Sequence, residues 1–596
     1  MDARIGKALA VRPRLDIPVT KTSLVAIIGS NTGDGASPGD AIACFHTADG
    51  TAYADVYTAN HRETLPIRGD RFRRFIRSRV FAQTRSPPAP GLLKRILDHF
   101  EAEAEFGGEQ REVFLRVGQQ GGRVYLDLAD PDWRVVEVDA DGWRVVKDAP
   151  VRFRRTPRML PLPISRRGGS VEELADLLNV QSRADLILIV SFLLAALRGI
   201  GPFPVLAVWG EQGSAKSTLV RMLRALVDPN AAPLRSLPTT ERDLFVGAEV
   251  NFIQAYDNIS SINPTISDAL CRLATGGAFA SRQFFKNRGE VAVSAMRPTI
   301  LNGISNVIHR ADLADRSVSI SLESVAEGNR RAEIEVMAEF EGARPRILGV
   351  LLDAVSRGLK ELPQVKTTGL ARMVDFDLWI RACEPALWPA ESFRQAYTSN
   401  RNEAAENSLE ADAVAATLRD FATAHGEWRG TAAELLHLLG QHADHAVRGA
   451  DKDWPKSPER LRHRLDRAAP NLRKVGIEIT HARAPDRNRT RLITISAVAQ
   501  EAGGNRPNRP DRPNEADQAR AASDGSDGRV AAPSTTDFGG GDSRHGQPQG
   551  RPSARLQRGG TTAQKAFADQ RIGRIIFKKR PKGKLDDRRG RRDSPF

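Results

Sequence analysis

The feature that most constrains this chain is the run from Pro204 to Leu219. Val205-Leu206-Ala207-Val208-Trp209 is a continuous apolar stretch, long enough for a strand buried on both faces and too short for a helix. Gly210-Glu211-Gln212-Gly213-Ser214-Ala215 follows as a glycine-bearing loop. Then come Lys216-Ser217-Thr218, with Leu219, Val220, Leu223 and Leu226 at helical spacing. Strand, tight loop and helix start in that order form an anion cradle. The glycines let backbone N–H groups turn inward, and the helix dipole favours negative charge. In such a cradle Lys216 reaches β- and γ-phosphates, and the Ser217 hydroxyl holds Mg2+. The spacing therefore predicts a nucleotide-phosphate site lined by Gly210, Glu211, Gln212, Gly213, Ser214, Ala215, Lys216, Ser217 and Thr218. One position departs from G-x-x-x-x-G-K-[ST]: Ala215 stands where the last glycine is expected.

Composition narrows the class. With 596 residues and 40% hydrophobic content, the chain has material for roughly three or four domains. A net charge of +15 predicts a polyanionic partner. Residues 571–596 carry 11 Lys/Arg against 3 Asp/Glu, so half the excess sits in a terminal stretch that a solvated tail explains equally well. Cys44, Cys271 and Cys383 are far apart and include no C-x-x-C pair, which argues against a disulfide framework or a zinc ribbon and fits a reducing compartment. Met1 leads into no apolar core of signal-peptide length, and the uncharged run Leu186 to Leu197 is only 12 residues long where a span needs about 20. A cytoplasmic protein with no membrane partner is expected.

Taken in order, residues 1–150 read as an α+β module. Thr51 to Thr58 and Val113 to Val117 alternate as strands, and a meander runs through Arg123 to Leu128, Trp133 to Val138 and Trp143 to Val146. Asp127, Asp130 and Asp132 are either metal carboxylates of a primer-synthesising site or ordinary turn residues. Residues 151–200 form a connector, extended at Pro157, Pro161 and Pro163. A capping box at Ser170-Val171-Glu172-Glu173 opens a helix toward Asn179.

The nucleotide core spans 201–325. A short strand is expected near Leu234 to Leu237. Asn251 to Tyr256 is a strand delivering Asp257-Asn258 at its end, 41 residues after Lys216, where an acid binds Mg2+ opposite Ser217. Ser267 to Ala274 is a helix. Ala278 to Phe285 and Val291 to Ala295 form a hairpin with Lys286 and Arg288 at its tip, either on a nucleic-acid strand or simply solvated. Arg297 to Leu301 is a strand delivering Asn302, and Arg310 to Arg316 precede an edge strand, Ser317 to Leu322.

The order of these motifs resembles the superfamily 3 helicases, in the phage, plasmid and poxvirus-type primase–helicase branch. The residues that carry it are Gly210 to Thr218, Asp257-Asn258, Leu273 to Gly277 with Arg282, Asn302 and Arg316. Alanine in the loop resembles the MCM helicases. The match covers residues 200–325, about a fifth of the chain. It implies an AAA+-like α/β P-loop core with a parallel sheet, assembled as a homo-oligomer (a hexamer) that threads single-stranded DNA through a pore. ATP and Mg2+ are the implied cofactors. Carried over by position, Lys216, Ser217 and Asp257 hold Mg·ATP, and Asn302 senses the γ-phosphate. Arg316, or else Arg310, acts on a neighbour's nucleotide, while Arg282, Lys286 and Arg288 face the strand. Asn258 departs from the family, because an amide orients water but does not accept its proton. The base then lies elsewhere, at Glu211 or Glu249, or turnover is slow by about 10²–10⁴.

Residues 326–427 are expected as a helical lid and linker, with helices at Glu333 to Phe340, Arg344 to Leu359 and Phe376 to Ala386. Residues 428–497 read as a winged helix. It carries Arg460, Arg464, Arg467 and Lys474 on one helix and Arg487 and Arg489 in a hairpin turn, a geometry for duplex DNA or for a protein partner. Residues 498–596, rich in Gly, Pro, Ser and Arg, are expected as a disordered basic tail. Three functions fit: an ATP-driven DNA helicase of a phage or mobile element, a nucleotide-gated DNA loader with little hydrolysis, or a primase–helicase fusion.

Overall fold

The computed structural model describes residues 42–58, 61–282, 290–308, 310–367, 372–410, 412–443, 454–485 and 490–497. Lys286, Arg288, Arg487, Arg489 and the tail from 498 lie outside the described residues.

The centre is a four-stranded parallel sheet in the order Gln254–Ile259, Thr299–Gly303, Val205–Gly210, Ser317–Leu322. Strict alternation explains why its strands are apolar throughout. Val205, Ala207 and Trp209 face one core with Phe245, Leu270 and Leu301, whereas Leu206 and Val208 face the other with Val220, Leu223 and Ile320. Helices cover both faces. Two strand expectations change. Leu234 to Leu237 contributes only a lone bridge, Arg235 to Tyr256, at the sheet edge. The Gln254–Ile259 strand starts later than its apolar run, so Asp257 and Asn258 lie within it, and a register shift between Tyr256 and Ile259 marks a bulge.

The apolar segment Leu186 to Leu197 forms the centre of the helix Arg183–Arg198 and is buried along its whole length. Ser182 caps its start by accepting from the Asp185 N–H, and Gly199 ends it in the left-handed region. It packs against the helices Glu333–Glu361, Val374–Cys383 and Ser392–Glu410, so no face is left for charge. Among the described residues no helix is long and apolar enough to cross a membrane.

The long helix Glu333–Glu361 corrects the expectation of two helices, because it runs through Pro345 without interruption. An interior proline costs about 3 kcal/mol. Burial of Phe340, Ile347, Leu348, Leu351 and Leu352 along this one helix outweighs it. The connector helix, by contrast, is only Glu172–Ala175.

The described part of residues 1–150 divides in two. The sheet of Ile42–His46, Ala52–Tyr57, Arg62–Pro66 and Glu109–Gln110 has its own core with the helices Asp70–Thr84 and Pro90–Phe106. The meander Val117–Gln120, Arg123–Asp127, Val135–Asp139 and Gly142–Val146 instead shares the central core. The Trp143 Nε1–H donates to Asp353 at 2.8 Å, fastening it to the long helix.

At the C-terminal end, the helices Ala413–His425, Ala432–His442 and Pro458–Lys474 surround a three-stranded sheet ordered Trp428–Gly430, Arg491–Ala497, Ile477–Arg483. The capping box is present at Thr431 and Glu434, and Ser457 caps the last helix.

Candidate functional site

The loop between the strand Val205–Gly210 and the helix Lys216–Val227 is shaped by three positive φ angles: Gly210 at 151°, Gly213 at 81° and Ala215 at 62°. At Gly210 a Cβ would stand 2.2 Å from the Leu322 carbonyl oxygen, so only glycine lets the loop pass the edge strand. The Lys216 ammonium donates to the carbonyl oxygens of Gly210 (2.7 Å) and Glu211 (2.6 Å) and to the Ser214 hydroxyl (3.0 Å). Burial lowers the lysine pKa, and the Asp257 carboxylate opposes that shift.

Opposite it, the Ser217 hydroxyl donates to both Asp257 carboxylate oxygens at 3.2 Å. The Asn302 amide donates to Asp257 Oδ1 at 2.6 Å and lies 3.2 Å from Ser217 Oγ. Lys216, Ser217, Asp257 and Asn302 therefore converge, although they come from elements up to 86 residues apart in sequence. The strands bearing the loop and Asp257 are not neighbours. Thr299–Gly303 lies between them, and the buried Asn302 on it supplies the bridge.

The donor set fits Mg2+ and a triphosphate. A hydroxyl and a carboxylate oxygen 3.2 Å apart can share a cation with metal–oxygen bonds of about 2.0–2.1 Å, and the ammonium and the loop N–H groups supply the positive side. Beside the loop is a cleft of about 620 Å3, lined by Leu177, Leu178, Leu219, Val325 and Val336 with Asn179 and Gln212 among its polar groups. Sequence reasoning missed this wall. Asn179 donates to the carbonyl oxygens of Ser214 (3.2 Å) and Glu323 (2.7 Å), tying the connector to the loop, yet nothing in its local sequence marks it.

The remaining candidates are placed as follows. Asn258 is exposed at φ 57°, and its N–H donates to Asp257 Oδ1 at 2.9 Å. Glu211 is exposed beside the loop and accepts from Ser324 at 2.9 Å. Glu249 sits in the last turn of the helix that leads into the start of the Asp257 strand, and its carbonyl accepts from Arg154, so it lies at the opposite end of that strand from the loop.

Arg316 also lies at the opposite end of the strands from the loop, because its carbonyl accepts from the N–H of Val205, the first residue of the loop-bearing strand. It bonds the Asp312 carbonyl at 2.8 Å, and Arg310 pairs with Asp268 at 2.8 Å. Neither reaches the loop of its own chain. Arg282 ends the hairpin strand Ala278–Arg282, opposite Glu290.

Two cations expected on nucleic acid are engaged internally: Arg464 with Asp412 at 3.1 Å and Lys474 with Asp315 at 2.6 Å. Arg460 is exposed, as is Arg467, whose Nε–H donates to the His463 carbonyl at 3.3 Å. In the meander, Asp127 pairs with Arg155 at 2.6 Å and Asp130 with Arg134 at 2.5 Å, which makes them structural acids.

Two family models match this chain. Residues 171–393 match the actinomycete integrative conjugative element replication protein, and residues 414–513 match the AICE RepA C-terminal domain. The first covers the loop, Asp257, Asn302 and Arg316; the second covers the C-terminal helices and sheet. No curated protein matches in sequence.

Among solved structures, SCCmec type IV Cch, titled an active helicase, aligns at 12% identity and a TM-score of 0.39 over 69% of this chain and 88% of that one. The apo NrS-1 C-terminal region aligns at 13% and 0.34, over 77% and 96%. JCV helicase aligns at 13% and 0.21, over 39% and 64%. Likeness at this level does not fix a shared fold.

Proposed function

We propose that this chain is a P-loop ATPase that acts as a nucleic-acid motor in the replication of an integrative conjugative element. The observation that carries the reading is the convergence of Lys216, Ser217, Asp257 and Asn302 at one end of a parallel sheet. The family match over residues 171–393 supports it by name. Bound Mg2+ would draw charge from the β- and γ-phosphates.

Ser217 and Asp257 hold the metal side, and Lys216 leaves its loop carbonyls to neutralise the phosphates. Asn302, buried and already donating, holds Asp257 in place and aims its amide at the γ-phosphate position. The cleft lined by Leu177, Leu178 and Val336 takes the base. Because Arg316 is at the opposite end of the strands from the loop, its role requires a second copy of the chain, as in a ring of subunits. The helices and sheet of 413–497 act as a winged helix on DNA.

The test is ATP turnover by the full chain with and without single-stranded DNA. Wild type is expected to hydrolyse ATP and to be stimulated by the strand. Lys216→Ala should abolish turnover, and Arg316→Ala should keep nucleotide binding but lose turnover. Mixing the two variants should restore a fraction of the rate, since one interface in the mixed ring carries both groups. No recovery on mixing would remove the shared site.

Asn258 favours a second reading, a loader that binds ATP and turns it over slowly. Its exposed side chain has no acid to offer as a base. Tight ATP binding without strand displacement would select it. The primer-synthesis reading has no such support, because Asp127 and Asp130 are already neutralised by arginines.

A further inference from the structure

The C-terminal sheet presents one face to the helix Pro458–Lys474. Along the paired strands that face carries Ile477, Ile479, Ile493 and Ile495, buried against Leu461, Leu465 and Leu472. By the two-residue period the same face continues to His481, Arg483 and Arg491, so beyond its apolar end it becomes basic. Arg483 and Arg491 are directly opposed in the antiparallel register. Like charges placed so repel one another and destabilise the hairpin. Arg462 comes from the facing helix, and together these side chains line a groove of about 350 Å3 at that helix's capped N-terminus.

None of the three arginines has an acidic partner among the described residues. The neighbouring cations do, Arg464 with Asp412 and Lys474 with Asp315, and the His481 imidazole hydrogen-bonds Asp466 at 2.9 Å. The one acid lining the groove, Glu459, accepts from its own backbone N–H and from Ser457, which keeps it below the usual carboxylate range and turned to the helix start. Three unneutralised guanidinium groups and a helix N-terminus facing one groove leave a concentrated positive charge that nothing described within the chain satisfies.

We propose that this groove binds the phosphodiester backbone of DNA, with Arg462, Arg483 and Arg491 each on a phosphate. The proposal rests on the reading of the chain as a nucleic-acid protein and assigns the contact to residues other than Arg464 and Lys474. The contact reads no bases and is independent of sequence.

The experiment uses the full chain and a fluorescent 30-base-pair duplex of arbitrary sequence, with affinity measured from about 50 to 200 mM NaCl. Each phosphate contact contributes about 0.9 to the slope of log K against log salt. Arg483→Gln with Arg491→Gln is expected to flatten that slope by about 2 and to weaken binding at least about tenfold at the lowest salt. Removing opposed like charges should leave the melting temperature unchanged or raised, so a loss of binding without a loss of fold marks a ligand role. Arg429→Gln with Arg473→Gln removes the same charge from exposed positions elsewhere in this domain and should change affinity less than about threefold.

An unchanged slope in the first pair, an equal loss in the second, or no duplex binding by wild type overturns the proposal. ATP turnover on the same samples separates it from the motor. Binding through these arginines without turnover keeps the groove and loses the motor, whereas turnover with arginine-independent binding does the reverse.

Discussion

Two non-glycine residues at the site have left-handed backbone, and each has a physical reading. Ala215, at φ 62° and ψ 23°, begins the helix where the motif expects glycine. An alanine there costs about 1–2 kcal/mol against its Cβ, while glycine would cost about 0.4–1 kcal/mol in unfolded-chain entropy. Ala215→Gly is therefore expected to gain a net of about 0.5–1 kcal/mol in urea denaturation and to keep nucleotide binding. A loss of stability would show that the alanine methyl has a packing role. Asn258, at φ 57°, is one of the few residue types that enters this region readily. The bulge that turns it outward also lets its N–H bond the Asp257 carboxylate, so the residue in place of a second acid helps to orient the first.

Elements are joined by buried ion pairs that no local pattern announces. Arg116, just before the first meander strand, and Arg224, on the helix after the loop, are both fully buried around Asp228. Asp228 accepts from Arg116 at 3.2 Å and from the Ile253 N–H at 3.1 Å, beside the start of the Asp257 strand. One carboxylate thus ties together the meander, the loop helix and the strand that carries Asp257. Burial lowers the Arg224 pKa to about 10, with Asp228 opposing the shift. Asp228→Ala leaves both guanidinium groups buried without their acid and is expected to cost about 3–5 kcal/mol. Differential scanning calorimetry of the full chain checks this. A change under about 1 kcal/mol would mean that the carbonyl oxygens around Arg116 suffice.

At the scale of the molecule, Asp315 gathers charges from three distant segments. Arg372 donates to it at 2.5 Å, Lys474 at 2.6 Å and Arg401 at 3.4 Å, so the segment before the helix Val374–Cys383, the helix Ser392–Glu410 and the helix Pro458–Lys474 all meet beside Arg316. Burial raises the Asp315 pKa, but the Lys474 ammonium and the two guanidinium groups outweigh it and leave the carboxylate below its ordinary 3.8. A depressed carboxylate pKa gives stability that is fully present above the unfolded value and is lost as pH falls through the folded one. Asp315→Asn should therefore be less stable than wild type at pH 7, by about 2 kcal/mol on the scale of a charged hydrogen bond. The gap should close progressively below pH 3.8. Parallel urea melts of the two proteins from pH 7 to pH 3 read the difference, and a gap that persists at the acid end would place the effect outside the carboxylate.

The local sequence carried what depends on nearest neighbours along the chain. Val205 to Trp209 is apolar without interruption because a central parallel strand is covered on both faces, and this is visible residue by residue. Glycines at 210 and 213 follow from backbone angles, the Thr431 and Ser457 caps from orphan N–H groups, and the buried helix from twelve successive uncharged residues that are apolar except for Ser191. Lys216, Ser217, Asp257 and Asn302 could be named because each sits at a helix start or follows an apolar run of strand character, where sequence pattern marks position.

Tertiary structure alone decided which ends meet. It placed the Asn302 strand between the strands that carry the loop and Asp257, ran one helix through Pro345, and put Arg316 at the end of the strands away from the loop. It also gave Lys474 to Asp315 and left Arg483 facing Arg491. The reason is physical: short-range propensity is fixed by a residue's own bonds and neighbours, but strand order and ion-pair choice are set by burial summed over segments hundreds of residues apart.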